Sequence, residues 1–475
     1  MTHGASSAPS LTPESYSPRH RTALVLAGTG TAGAYHAGAL RALHEAGVKI
    51  DLVAGRGVGA VGALFVAVDG AERLWDEKGF WRLPAVRSLY AWRLPVRGVA
   101  AALGVAIALV AVPIALVALG LVVFPIDFVA KMVGLGGAGG SIDAYLRLAH
   151  RGFAPEGLPT WLPRLVLLAL ATAAGLALAD GWKSDPRRPR GALWWRALRA
   201  PLSSTGAVGH TWRVMWDLVR GAAQLKQPPR AELARRYVDL LAENIGQPGF
   251  CELLLTVHDI DAHRDLVFAL VGDARRRDLV RRPTAAAGEA RRAEVVDLAG
   301  TGRDHLVDAV AGSLAIPLMT EPHKMTFAAD TYWRGETHRV CDRPAGLIRL
   351  IDELIDLGVQ QILLVAATPE PAGPHALAAP RIDGRGRLGE YILSSEAAIF
   401  RDATTTTGGV RIYTIRPVHN PIGPFDFAGG FDDRSHRAQP LAELMARGYE
   451  DAYHQFVEPV VGASGERVGA GKSGI

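Results

Sequence analysis

The spacing of hydrophobic positions changes character along the chain. Residues 22–27 are a short, nearly unbroken apolar run ending at Gly28, the pattern of a strand buried on both faces. Over residues 33–46 the period lengthens. Tyr35, Leu40 and Leu43 share one helical face, and Gly47 is a C-terminal stop. Residues 50–54 repeat the strand pattern and residues 59–68 the helical one. This β-α-β-α order predicts a parallel sheet covered by helices. The alternation stops at Arg97. Residues 99–124 carry no charge and are interrupted only by Pro113. A bilayer crossing takes roughly 20 apolar residues, so the run predicts a transmembrane helix. A second, shorter run at 165–179 is extended by Trp161, Leu162 and Pro163 and bounded by Trp182. It predicts a second span over residues 162–180, completing a hairpin. From Pro229 the globular pattern returns, with strands at 250–257, 361–366 and 410–415 and helices at 306–311, 345–357 and 441–457.

The organisation that follows is one α/β domain in two pieces, 21–96 and 229–460, with residues 97–228 inserted as a membrane segment. Residues 1–20 are rich in Ser, Pro and Thr and lack a basic start followed by an apolar run. They read as a disordered tail rather than a signal peptide. The Gly-rich residues 461–475 read as a second disordered tail. The 49% hydrophobic content supports membrane segments. The net charge of +5 is spread around those segments rather than gathered in one block, which suits lipid headgroups and not nucleic acid. Arg82, Arg87, Arg93 and Arg97 precede the first span, and Lys183, Arg187, Arg188, Arg190, Arg196 and Arg199 follow the second. The predicted loop 127–159 is less basic on balance, which places both outer flanks in the cytoplasm and the loop outside. The expected location is the cell inner membrane, multi-pass, with the globular domain cytoplasmic. Trp194, Trp195, Trp212 and Trp216 alternate with Arg196, Arg199, Arg213 and Arg220. That mixture predicts interfacial helices over residues 190–222, with packing against the globular domain as the alternative. Cys251 and Cys341 are the only cysteines. They form neither a disulfide framework nor a C-x-x-C pair.

Two glycine motifs carry the candidate chemistry. Gly28-Thr29-Gly30-Thr31-Ala32-Gly33 lies where the first strand turns into its helix. Such a turn can aim backbone N–H groups at an oxyanion, phosphate or carboxylate; glycines kept only for close strand–helix packing are the alternative. Val53-Ala54-Gly55-Arg56-Gly57-Val58-Gly59-Ala60 follows the second strand and has the layout of a nucleophile elbow, G-x-S-x-G, with Gly57 at the serine position. The first motif also matches the dinucleotide fingerprint G-x-G-x-x-G, with Asp51 about twenty residues on. His258, Asp259, Asp261 and His263 include metal-ligand types but read as a polar turn. His36 and His44 read as packing or surface residues. Ser313 reads as a helix-start residue, and Ser394 and Ser395 as late-loop residues. No metal and no cofactor are expected.

These motifs, in this order, resemble the bacterial patatin-like phospholipase family. The likeness runs through Ala23-Leu24-Val25-Leu26-Ala27-Gly28, Gly30, Gly33, Ala34, Tyr35, His36, Gly38, Leu40 and Leu43, then Gly55 to Ala60. It continues loosely through Leu253-Leu254-Leu255-Thr256, Asp259, Asp261 and Ser313-Leu314-Ala315-Ile316-Pro317. The resemblance implies a three-layer α/β/α sandwich, here with an inserted membrane-spanning hairpin, and a Ser–Asp dyad acting on lipid esters. The serine position is Gly57. The family's aspartate opens an Asp-Gly-Gly motif after the Ala-Ile-Pro landmark. Aligning the segment 327–336 on Tyr332 puts Arg334 at the aspartate, with Asp330 the alternative in a shifted register. Both dyad members are then replaced.

Glycine cannot attack a carbonyl. The expectation is therefore a membrane-anchored pseudoenzyme. Gly28, Thr29, Gly30, Thr31 and Gly33 would form its remnant oxyanion loop, bordered by Arg56 and Arg334. It would bind an anionic lipid, a fatty-acid carboxylate or a protein partner. A divergent acyl hydrolase with a relocated nucleophile and a Rossmann-type dinucleotide-binding protein are the alternatives.

Overall fold

The computed structural model describes residues 16–134, 139–182, 199–280, 291–375, 377, 380–405 and 409–462. The chain divides into two compact units, one made of Met1–Ala91 with Ser204–Ile475, the other of Trp92–Ser203.

The first unit is built on a nine-stranded mixed sheet. Its strands are β1 (Thr22–Gly28), β2 (Leu52–Gly57), β3 (Glu252–Asp259), β4 (Arg264–Leu270), β5 (Val295–Asp297), β6 (His323–Thr326), β7 (Thr337–Cys341), β8 (Gln361–Ala366) and β9 (Arg411–Ile415). They run in the order β9-β8-β1-β2-β3-β4-β5, with β7 also paired to β3 and β6 to β7. The block β9-β8-β1-β2-β3 is parallel, and β4 and β7 pair antiparallel with β3. β1, β2 and β8 are buried at every position, as strands covered on both faces must be. Ala23, Val25 and Ala27 point into one core with Leu347, Leu350 and Leu354 of helix α10 (Gly346–Asp356) and Phe400 of α11 (Gly384–Thr405). Leu26 points to the other face, against α1 (Ala32–Glu45) and α2 (Gly59–Val66). The strands and helices expected around residues 22–68, 250–257, 306–311 and 345–366 all form. Leu306–Ser313 is α9. The C-terminal helix α12 (Leu441–Ala452) passes into a π-helical segment, Tyr453–Val461, instead of running on as one α-helix to residue 457.

Two expectations about this unit are corrected. Tyr16 lies within the expected N-terminal tail, yet it is buried. Its hydroxyl donates to Lys49 O at 3.2 Å and its ring meets Phe456 edge-on at 5.6 Å. The rest of that tail, residues 1–15, and residues 463–475 lie outside the described residues. The α/β unit also resumes at Ser204 rather than at 229. Helix α6 (Thr205–Arg220) carries Trp212, Met215 and Trp216 buried in the globular core. Tyr237 on α7 (Arg230–Asn244) donates to Leu64 O of α2 at 2.7 Å. Trp212 and Trp216 are therefore core residues and not part of an interfacial helix: Val208, Thr211, Trp212 and Met215 recur at helical spacing on one inward face. Trp194, Trp195 and Arg196 lie outside the described residues.

The second unit is a helical bundle: α3 (Leu94–Met132), α4 (Gly139–Phe153) and α5 (Leu158–Trp182). α3 has 39 residues, about 58 Å at 1.5 Å per residue. It runs through Pro113 and Pro125 without ending. α5 returns antiparallel, with Leu176 beside Gly98 and Leu158 beside Gly152. The expected loop 127–159 is instead the end of α3 and the amphipathic α4, which folds back so that Tyr145 lies against Gly120 and edge-on to Phe124 at 5.6 Å. α3 and α5 are long and apolar enough to cross a membrane. Ile107, Ile114, Leu121, Leu167 and Leu168 stand exposed on them.

Candidate functional site

β1 and β2 end side by side, with Gly28 paired to Gly57. The chain then turns from β2 into α2 through Gly57, whose φ is +59°. This is the sharp strand-to-helix turn that the elbow motif predicts. Val58 N–H donates to Gly28 O at 2.9 Å and holds the turn against β1. A Cβ at position 57 would lie 2.3 Å from Gly28 O and 2.9 Å from Asp342 Oδ2.

The acid at the elbow is therefore Asp342, and not Arg334 or Asp330. Asp342 follows β7 directly, and its N–H donates to Ala315 O at 2.9 Å, so the Ala-Ile-Pro segment fixes its position. Alignment by Asp-Gly-Gly misses it because Arg343 and Pro344 stand where the glycines would be. An apolar Val340-Cys341 pair entering an aspartate was the available signal. Arg334 and Asp330 sit exposed at the tip between β6 and β7 and line a separate cavity.

Asp342 is buried. Arg56 is 2% exposed, and its Nη1 donates to Asp342 Oδ2 at 2.8 Å while Nη2 donates to Glu396 of α11. Glu396 also accepts from Thr29 Oγ1 at 2.7 Å and Thr368 Oγ1 at 3.3 Å. One cation thus serves two buried carboxylates. Burial pushes the Asp342 carboxyl up to about 6; Arg56 opposes the shift and Glu396 adds to it. Burial works against the Arg56 charge, but Asp342 and Glu396 outweigh it and raise its pKa. Asp342 Oδ1 and Arg56 Nε have no hydrogen-bond partner among the described residues. The cavity that Arg56, Glu396 and Thr368 line measures about 10 Å³. Ligand pockets span roughly 300–1,000 Å³, so no acyl group fits there.

The glycine loop is filled as well. Thr31 N–H donates to Pro424 O at 3.0 Å, and Thr31 Oγ1 to Gly423 O at 2.8 Å. Gly30, at φ +59°, has Pro424 O 2.0 Å from where its Cβ would be. Gly33 packs under the Trp81 ring. Gly28, Thr29, Gly30, Thr31 and Gly33 are all buried. The 423–424 carbonyls lie against the loop, and Pro424 O takes the Thr31 N–H that an open anion nest would offer. Arg56 does not border a free anion site either, since its own carboxylates engage it. His36 is buried with Nε2 3.2 Å from Ala27 O. Burial, with Arg56 nearby, lowers its pKa to about 3 and keeps it neutral.

The remaining candidates disperse. Asp51 sits at the opposite end of the sheet from the glycine loop, where its Oδ2 accepts the Thr22 N–H at 2.9 Å. A dinucleotide-binding acid belongs at the carboxyl end of its strand, so the Rossmann reading fails on geometry. His258 pairs with Asp265 at 2.8 Å, Asp259 with His338 at 2.6 Å, and Asp261 with Arg339. His263 occupies a turn at φ +55°. These side chains share no focus. Ser313 is buried, with Oγ 3.4 Å from Thr256 O. Ser394 and Ser395 lie on α11 rather than in a loop, and Ser395 Oγ donates to Tyr391 O.

Comparison with known proteins bears on the first part of the chain. A family model described as patatin-like phospholipase matches residues 24–127, which include both glycine motifs. The chain is 45% identical over 60 residues to patatin-like phospholipase domain-containing protein 6 of Mus musculus, and equally to that of Homo sapiens. Each match covers 12% of this chain and 4% of the relative, so the chain spans only a small part of those proteins. A crystal structure of VipD from Legionella pneumophila aligns with 94% of this chain and 67% of its own, at 13% identity and a TM-score of 0.27. The elbow, the glycine loop and the matched segment together support a patatin-like family member, with the likeness carried by residues 24–127.

Proposed function

We propose that this protein is a non-catalytic patatin-like protein held in a membrane by the α3–α5 bundle. The observation that carries the reading is Gly57, facing an aspartate that is already paired with Arg56. Acyl-enzyme chemistry needs an oxygen or sulfur nucleophile at the elbow and a base free to take its proton. Glycine supplies no nucleophile, and Arg56 occupies the base. The third requirement, N–H groups open to an oxyanion, is weakened as well, since Pro424 O takes the Thr31 N–H. Ser313, Ser394 and Ser395 offer no rescue, since none has a base partner among the described residues.

Membrane anchoring rests on the length and apolarity of α3 and α5. Orientation rests on the arginines that flank the bundle and favours a cytoplasmic α/β unit in an inner membrane. The function is then binding, of lipid or of a protein partner, at the bilayer surface. The glycine loop is closed to such a ligand, so the reading looks to other surfaces of the α/β unit.

The test is a fluorophosphonate probe with phospholipid and p-nitrophenyl ester assays on the full chain in detergent. No labelling and no turnover are expected. Labelling of any one serine would support the alternative, a hydrolase with a relocated nucleophile, and would overturn this reading. Carbonate extraction tests anchoring: release of the protein into the soluble fraction would refute it. A thiol probe at Ser141→Cys that reacts only after cell lysis would refute the orientation.

A further inference from the structure

Arg334 has an unusual backbone conformation. Its φ is +43°, in the left-handed region that residues with side chains enter at a cost, and Gly335 follows at +81°. Glycine would suit position 334 without strain. A strained arginine at an exposed tip points to a role for its side chain.

That tip, β5 at the end of the sheet and the turn 300–302 line one cavity of about 670 Å³. The size lies within the range of ligand pockets, roughly 300–1,000 Å³. Its lining holds four arginines against two aspartates. Two of the arginines are engaged: Arg276 donates to Asp297 at 2.7 Å, and Arg291 is buried in a bidentate pair with Glu353. Arg292 and Arg334 are exposed, and their side chains have no ion-pair or hydrogen-bond partner among the described residues. Opposing them is Asp330. The wall beside them is aromatic and fixed. Trp333 Nε1–H donates to Ala293 O at 3.0 Å, and Tyr332 stands edge-on to it at 5.2 Å with 44% of its surface exposed.

We propose that this groove binds a phosphate group carrying an organic substituent. Arg292 and Arg334 hold the phosphate oxygens, as guanidinium geometry favours, and Tyr332 and Trp333 receive the substituent. The site is separate from the glycine site, and it stands whether or not the protein spans a membrane.

The experiment is calorimetric titration of the full chain in neutral detergent with short-chain phosphatidic acid, then with inorganic phosphate. Arg334→Gly is the decisive variant, because it removes the guanidinium and relieves the backbone; Arg292→Ala is the second. Each is expected to weaken binding of the phosphatidic acid by about tenfold, while Arg334→Gly melts at or above the wild-type temperature. Competition by inorganic phosphate at comparable concentration assigns the site to free phosphate or soluble phosphate esters. Its failure to compete assigns the site to a lipid headgroup. If wild type binds neither probe, or both variants bind as tightly as wild type, the proposal is wrong. A lower melting temperature for Arg334→Gly would overturn the strain argument. Carbonate extraction of Arg334→Gly reports on anchoring separately and is expected to match wild type.

Discussion

Gly57→Ser returns the missing hydroxyl to the elbow, and its consequences can be worked out atom by atom. Position 57 has φ +59°, which costs an L-residue about 1–2 kcal/mol. The new Cβ would sit 2.3 Å from Gly28 O, well inside contact distance. β1 must move at its end, where Gly28 O accepts the Val58 N–H at 2.9 Å. Weakening that buried bond adds about 1 kcal/mol. The expected loss of stability is therefore about 2–3 kcal/mol, summing strain and bond. Reactivity is not expected to return. Asp342 Oδ2 stays engaged by Arg56 Nη1 at 2.8 Å, and the Thr31 N–H stays on Pro424 O. Urea unfolding followed by tryptophan fluorescence measures the first effect, and fluorophosphonate labelling the second. A variant as stable as wild type, or one labelled strongly at position 57, would refute the reasoning.

Three further outcomes follow from the same geometry. Arg56→Met leaves Asp342 and Glu396 buried and facing each other, and is expected to cost about 3–5 kcal/mol; adding Glu396→Gln should recover part of it, and an unchanged unfolding midpoint for the single variant would contradict the buried triad. The Asp342 carboxyl titrates near 6 in the folded chain against about 3.8 unfolded, so the unfolded state releases its proton first as pH rises. This group's contribution to stability is greatest below about pH 4 and is lost between 4 and 6; the wild-type loss over that window should shrink in Asp342→Asn, and equal pH profiles would rule it out. Trp212→Ala empties a fully buried site in the α/β unit and should destabilise that unit by about 3–5 kcal/mol without altering carbonate extraction; a variant that unfolds like wild type would return residues 204–228 to the membrane segment.

The strands of the parallel block were legible because a strand buried on both faces must be almost wholly apolar. Residues 22–27 and 361–366 announce themselves, and the glycine turns after β1 and β2 mark where chain reversal is needed. β6 and β7 were not legible. They are short, with polar residues such as Lys324, Thr326, Thr337 and Arg339 on their exposed side, and the hairpin owes its existence to pairing with β3. Missing β7 also misplaced the acid, since Asp342 is defined by the strand end that delivers it.

Local sequence alone decided the long apolar helices, the elbow layout and the glycine at its serine position, because each is carried by consecutive residues: an uncharged run, a turn motif, a glycine. What the sequence could not decide was the state of the site. Arg56 next to Gly57 reads equally as an anion-binding residue or as an ion-pair partner. The answer depends on Glu396, 340 positions away, and on Gly423 and Pro424, which close over the glycine loop from the other end of the chain. Long-range packing brings these groups to one point, and a buried cation takes whichever carboxylates that packing supplies.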